Sequence, residues 1–296
     1  MKILLLCPHI DLSEHTAPAI HVCEICKNLT KLGNKIFLVS STTDGHLPPL
    51  KNIKHYSIKT KATGIGRWLI CEVLGFLLGA KVILKEKIDL VYERHYPTAI
   101  GVLLAKMFGK ASVVEVNGLV ADEARLSKGF LKRIIGRLGD FEFVLSGRAD
   151  RIISVTPKIR DVMVGEAGIR KEKIRVVLNG VNTELFKPKG FVKSKRVIFT
   201  GFIAPWQGLE ELIDAAPLVV VKVPSAKFFV VGDGPSRREI EKLAGEKGVS
   251  GYFKFLGSQP YEKSADLINS ARVCVTLKKP IKSGYSPLKL YAYAAC

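Results

Sequence analysis

Long apolar runs are missing from this chain. The longest, Val73–Ala80, falls well short of the roughly 20 residues that cross a bilayer, so no membrane-spanning helix is expected. The opening MKILLLCP turns polar at once and has no small-residue cleavage site, which argues against a secretory leader. Cysteines number six, without a second pair at metal-binding spacing. Cys23-x-x-Cys26 on an apolar helix face therefore reads as packing, and the set suits a reducing compartment. A cytoplasmic protein is the expectation.

Acids are also scarce, 27 against 46 lysines and arginines, for a net charge of +19. The excess is no tail. Residues 1–187 hold 29 basic and 18 acidic side chains, leaving 17 and 9 for the rest. Diffuse positive charge suits phosphorylated ligands or anionic lipid. Nucleic acid is the weakest reading, since no familiar module is visible and aromatics are not interleaved with the basic runs.

What the chain does have is alternation. Predicted strands at Lys2–Cys7, Lys35–Ser40, Ile53–Ile58, Leu90–Glu93, Ser112–Val116, Arg151–Val155 and Arg175–Leu178 are mostly separated by helical patterns such as Ala19–Leu32 and Thr98–Phe108. The pattern resumes with strands at Arg196–Thr200, Lys227–Val231, Phe253–Leu256 and Arg272–Leu277. Helices are predicted at Leu209–Val223, Ser236–Lys247, Tyr261–Ala271 and Ser286–Cys296. Such alternation specifies an α/β fold of doubly wound parallel sheets. At 296 residues there is room for two domains. Asn179-Gly180 and Pro188-Lys189-Gly190 break the pattern between them, so the expected domains are 1–187 and 188–296, two Rossmann-like halves facing a cleft. Two segments could touch a membrane: Arg67–Lys87, with a dense apolar stripe, and the basic amphipathic Arg125–Leu145, whose Arg125–Arg137 portion holds five of its cations. A core-packed helix with a solvated face is the competing reading for both.

The stretch RVIFTGFIAPWQGLEELIDAA, Arg196–Ala216, organises the second half. A β-branched strand stops at Gly201, a loop passes Pro205, Trp206 and Gln207 to Gly208, and a helix follows. Strand, glycine turn and helix N-terminus in succession point backbone N–H groups out of the sheet, as anion sites require. Any βα turn reads similarly in isolation.

Further matches come in order: YER at Tyr92–Arg94, VVEVNGLVADE at Val113–Glu123, ADRIISVTP at Ala149–Pro157, VLNGVNTELFKP at Val177–Pro188, TGFIAPWQG at Thr200–Gly208, FVVGDGP at Phe229–Pro235, FKFLG at Phe253–Gly257 and GYSPLKLYAYAAC at Gly284–Cys296. Together these resemble a family 4 glycosyltransferase of the two-domain GT-B fold, over nearly the whole chain. The resemblance implies a retaining, metal-independent transfer with no cofactor. A nucleoside-diphosphate sugar is the donor, bound by the second domain, and a glycan or lipid-linked acceptor faces the first. Lys289 would be the diphosphate cation beside Leu290. Gly201, Gln207 and Gly208 would form the donor turn, Gly232, Asp233 and Gly234 a second turn, and Leu256 and Gly257 the backbone approach to the base. In the first domain Asn117 and Glu93 are the candidate catalytic residues, with Asn117 where many members carry histidine. His21 reads as a half-buried helix residue.

The chain departs from the pattern. Phe202 and Gln207 stand where relatives often have arginine and lysine, and Gly284 and Ala292 take the places of the E-x7-E acids. Family chains also continue beyond the SPLKLYEY-type helix, so the second domain is expected to be incomplete. Two alternatives stay open beside transfer: a homologue that binds without catalysing, and a nucleotide-sugar epimerase of the same fold.

Overall fold

The computed structural model describes residues 1–14, 16–43, 52–119, 143–190, 194–280, 286 and 288–296. The chain divides into two compact units, Met1–Leu178 with Lys282–Ser286, and Asn179–Ile281 with Pro287–Cys296. Each is a parallel sheet carrying helices, as the alternating pattern predicts.

The first unit has seven strands: β1 Lys2–Asp11, β2 Lys35–Thr42, β3 Ile53–Lys59, β4 Leu90–Arg94, β5 Ala111–Val116, β6 Arg151–Ser154 and β7 Ile174–Val176. They lie in the order β3-β2-β1-β4-β5-β6-β7. Helix α1, Ala17–Lys31, covers one face, burying Ala19, Val22 and Cys26 against Ile3, Leu5, Ile36 and Leu38. Helices α2, Gly64–Glu86, and α3, Ile100–Met107, cover the other, over Leu4, Leu6, Phe37 and Val39. Burial on both sides explains why β1 and β2 read as unbroken apolar runs. Helix α4, Pro157–Gly165, starts at Thr156, whose hydroxyl caps the Ile159 N–H at 3.0 Å.

The second unit has strands β8 Arg196–Thr200, β9 Lys227–Val231, β10 Phe253–Gly257 and β11 Val273–Cys274, in the order β10-β9-β8-β11. Its helices are α5 Leu209–Lys222, α6 Arg237–Glu246, α7 Tyr261–Asn269 and α8 Leu288–Ala295. Phe199, Phe228, Val230, Leu209 and Ile213 form its main core. A smaller cluster of Phe186, Ala265, Ile268 and Ala292 ties the 179–190 segment to this unit.

Two details differ from the sequence reading. Strand β1 continues past Pro8 to Asp11, because Asp11 pairs with Ser41 after a register shift absorbs the residue without an N–H. Strand β11 pairs over only two residues, at the edge of the sheet among the described residues, where it has a strand on one side only. The helix expected over Arg125–Leu145 lies outside the described residues except at 143–145, which form a turn. Cys23 and Cys26 are free thiols, and burial pushes the first up to about 11 and the second to about 12. Neither is a ready nucleophile. Among the described residues no helix is long and apolar enough to cross a membrane.

Candidate functional site

In an open parallel sheet a ligand crevice lies beyond the carboxyl ends of the strands, where the strand order reverses. The second unit reverses at β8, between β9 and β11. Leaving β8, the chain enters the Gly201 turn with φ of +134°. The turn is fastened to the next strand end: Gly201 N–H donates to Val231 O at 2.8 Å and Ile203 N–H to Asp233 O at 2.9 Å. Gly232, at φ +131°, packs so closely that a Cβ built there would overlap the Gly201 carbonyl oxygen. Its own N–H donates to Gly257 O at 2.8 Å. Gly201, Gly232 and Gly257, read from three separate motifs, are thus one cluster of backbone.

Lys289, on α8, closes this cluster. Its ammonium sits 3.7 Å from the centroid of the Phe199 ring and donates to Gln207 Oε1 at 3.0 Å. It comes so near Gly201 that a Cβ there would lie 3.0 Å from Nζ. Glycine is required on both counts, backbone and space. Burial, and then the positive charge of Lys278, hold the Lys289 ammonium down to about 7. Among the described residues its hydrogen-bond partner is the neutral Gln207 amide, and a bound phosphate would restore its ordinary value.

The other expected groups have structural employment. Asp233 accepts from Gly234 N–H at 2.8 Å and pairs with Arg237 at 3.0 Å. The Leu256 carbonyl accepts from the Gln259 amide at 2.6 Å. Gly208, at φ +66°, begins α5, but Glu210 and Glu211 occupy the first turn of that helix and already complement its dipole. Since Gly201 and Ile203 spend their amides within the unit, the positive feature of this turn is Lys289 more than free N–H groups. Leu290 is exposed on α8, Phe202 is half exposed with its ring 6.3 Å from that of Trp206, and Ala292 faces the Phe186 cluster. Gly284 lies outside the described residues. Sequence reasoning missed Lys278, although its position just past a predicted strand end was the available signal.

The first unit reverses between β1 and β4. Carboxylates gather at these strand ends, each with its own donors. Glu115 accepts from His21 at 2.5 Å and from the Tyr92 hydroxyl at 2.6 Å. Burial pushes its carboxyl up, but His21, Arg94 and Tyr92 outweigh that and leave it at about 2. Glu72 meets His9 at 2.6 Å and the Thr98 hydroxyl at 2.8 Å, and His9 stacks on Tyr96 with centroids 4.0 Å apart. Asp11 holds Ser13, Thr43 and Arg67. The candidate Glu93 is only 2% exposed and accepts from Val102 N–H, at the start of α3, at 3.2 Å. Burial raises it to about 8, so it is mostly protonated at neutral pH. The candidate Asn117 follows β5, half-buried, and its amide nitrogen has no partner among the described residues. His21 was read as an incidental helix residue, yet it joins α1 to β5. His21→Ala is expected to cost roughly 2 kcal/mol by leaving one oxygen of the buried Glu115 carboxylate without its donor, measured as a lower denaturant midpoint at pH 7.

Residues 19–185 match the model described as Glycosyltransferase Family 4, and residues 181–279 match that described as Glycosyl transferases group 1. The Saccharomyces cerevisiae phosphatidylinositol N-acetylglucosaminyltransferase GPI3 subunit is 24% identical over 84% of this chain. The chain spans only 56% of that relative. Sucrose-phosphate synthase from Thermosynechococcus elongatus superposes with a TM-score of 0.72 over 93% of this chain and 75% of its own, at 18% identity. HepE from Anabaena, solved in complex with UDP-glucose, gives 0.66 over 94% and 74%, at 17% identity. These two likenesses establish a shared fold, of the GT-B type. With its first unit matched almost throughout and its second by the companion model, the chain belongs to glycosyltransferase family 4.

Proposed function

We propose that the protein is a retaining, metal-independent glycosyltransferase that moves a sugar from a nucleoside-diphosphate donor to a glycan or lipid-linked acceptor. It would work in cell-surface polysaccharide or glycolipid synthesis, in the cytoplasm and peripheral to the membrane. The observation that carries this is the Lys289 ammonium, drawn over an aromatic ring and a glycine turn at the switch point of the second sheet, where among the described residues it donates to a neutral amide oxygen of Gln207. Family membership, the UDP-glucose in the HepE structure and the phosphatidylinositol named for the yeast relative all support it.

In the reaction the bond from the anomeric carbon to the donor phosphate oxygen breaks. A bond from that carbon to an acceptor hydroxyl oxygen forms, and the hydroxyl proton passes to an oxygen of the departing diphosphate. The departing diphosphate gains charge as this happens, so a cation fixed at its oxygens favours the transition state over the ground state. Lys289 is assigned that role, with Gln207 Oε1 holding its ammonium in place. Asn117 is assigned to orient a hydroxyl in the first unit, since an amide cannot act as a base. Buried Glu93 is assigned to position α3.

Calorimetry tests the donor site. At pH 8 most free Lys289 is neutral and the bound diphosphate raises its pKa, so binding should take up about one proton. The enthalpy of UDP, GDP or ADP binding should then differ between Tris and HEPES. This contribution to affinity is complete below pH 7 and fades as pH rises through the raised value. No binding of any of the three would contradict the reading. A second reading, binding without turnover, is favoured by Phe202, Gln207 and Ala292 at the places of charged residues. It predicts the same calorimetry with no sugar transfer.

A further inference from the structure

We propose that the outer face of α2 is the surface by which this protein lies on an anionic membrane. Ile65, Leu69, Val73, Leu77 and Leu84 recur along one side of the helix, and their exposure runs from 51% at Leu69 to 70% at Ile65. The stripe is roughly 30 Å long at 1.5 Å per residue. Leu103 and Met107 of α3, which packs beside α2, are exposed as well. A run of large aliphatic groups facing water on a helix whose other side is fully used in the core marks a contact surface.

The charge around the stripe identifies the occupant. Lys61, Lys81, Lys85 and Lys87 are all exposed at its margins. The two acids of α2 are both spent: Glu72 is buried against His9 and Thr98, and Glu86 is bound by Lys54 and the Tyr56 hydroxyl. The exposed face therefore offers aliphatic side chains and ammonium groups with no unpaired carboxylate. Lysines at the edge extend their stems along the apolar stripe and place their charges among lipid phosphates. A protein partner of matching chemistry would need an acidic rim around an apolar groove. A bilayer of anionic lipid supplies both over any length.

The inner side of the same helix gives the surface a use. Arg67 reaches Asp11 and Ser41, and Glu72 holds His9, all at the carboxyl ends of β1 and β2. Helix α2 would thus set the acceptor side of the first unit against the lipid that carries an acceptor. This deepens the peripheral-membrane part of the proposed function and shares none of its donor chemistry.

The test is sedimentation of the full chain, without donor, with vesicles of phosphatidylcholine alone and of phosphatidylcholine mixed with phosphatidylglycerol. Circular dichroism confirms the fold of each variant. Wild-type protein should bind the mixed vesicles and bind the neutral ones weakly. Leu69→Glu with Leu77→Glu should lower the affinity by roughly tenfold or more. Lys81→Glu with Lys85→Glu should remove the preference for anionic lipid. Unchanged binding by the leucine variant overturns the α2 assignment and leaves the peripheral reading standing. No binding by wild type overturns both. Light scattering that shows a wild-type dimer, converted to monomer by the leucine variant with no vesicle binding, assigns the face to a second copy and overturns the proposal.

Discussion

Lys289→Met is expected to weaken nucleoside diphosphate binding and any transfer by roughly a hundredfold, or about 3 kcal/mol. Methionine keeps most of the aliphatic stem while removing the ammonium that sits over Phe199 and beside Gly201, so the loss isolates the charge. Stability supplies the contrast. An ammonium held down to about 7 disfavours the folded state as pH falls from its ordinary range toward 7, after which the penalty is constant. At pH 7 the variant should therefore unfold at a denaturant midpoint no lower than wild type. A residue kept for packing would show the reverse: lost stability and intact binding. The pairing of weaker binding with undiminished stability is the mark of a side chain whose site is arranged for a ligand.

Gly232→Ala is expected to have the largest effect on stability, a loss of about 2–6 kcal/mol to unit two. Two costs add. The backbone is at φ +131°, a conformation that costs an L-residue on the order of 1–3 kcal/mol. The new methyl also meets the Gly201 carbonyl, which cannot swing away because the Gly201 and Ile203 amides are tied to Val231 and Asp233. Overpacking against fixed backbone costs a further 1–3 kcal/mol or so. Thermal unfolding should show the second unit melting well below the first. Gly245→Ala is the control, since a Cβ there meets nothing within 4 Å.

These two residues show what the sequence made legible. Gly232 and Lys289 lie 57 positions apart in separate motifs, and alternation of strand and helix was enough to put both at strand or helix ends near one crevice. The sheets, their parallel sense and most helix bounds follow from hydrophobic period alone, because both faces of each central strand are buried. What the residues hid is who bonds to whom. The Gly201 turn reads as a cradle of free amides, yet the fold uses those amides to clamp two strand ends together. Gln207 reads as a lost cation, yet it accepts from the cation that remains. Glu93 reads as an available acid at a strand end, yet its carboxyl turns inward beneath α3. Alternating pattern says which face a residue takes, but hydrogen-bond partners from distant strands decide whether its polar group is free. Glu115 and His21, 94 positions apart, are such a pair.

The stripe on α2 shows the same limit from the other side. Its apolar residues lie nearly all the way around the helix, so periodicity alone cannot tell the core face from the one turned outward. Packing divides them: Cys71, Val82 and Ile83 face inward, and Leu69, Val73 and Leu77 face water.

The central claim is that Lys289 receives the donor's diphosphate. Its most direct test is the pKa of that one side chain, followed by NMR in protein carrying 13C-labelled lysine, with Lys289→Met identifying the signal. The free protein should titrate near 7, and saturating UDP, or whichever diphosphate binds, should raise that value by more than about one unit. A diphosphate that binds tightly while the Lys289 titration stays where it was would place the ligand elsewhere and contradict the account.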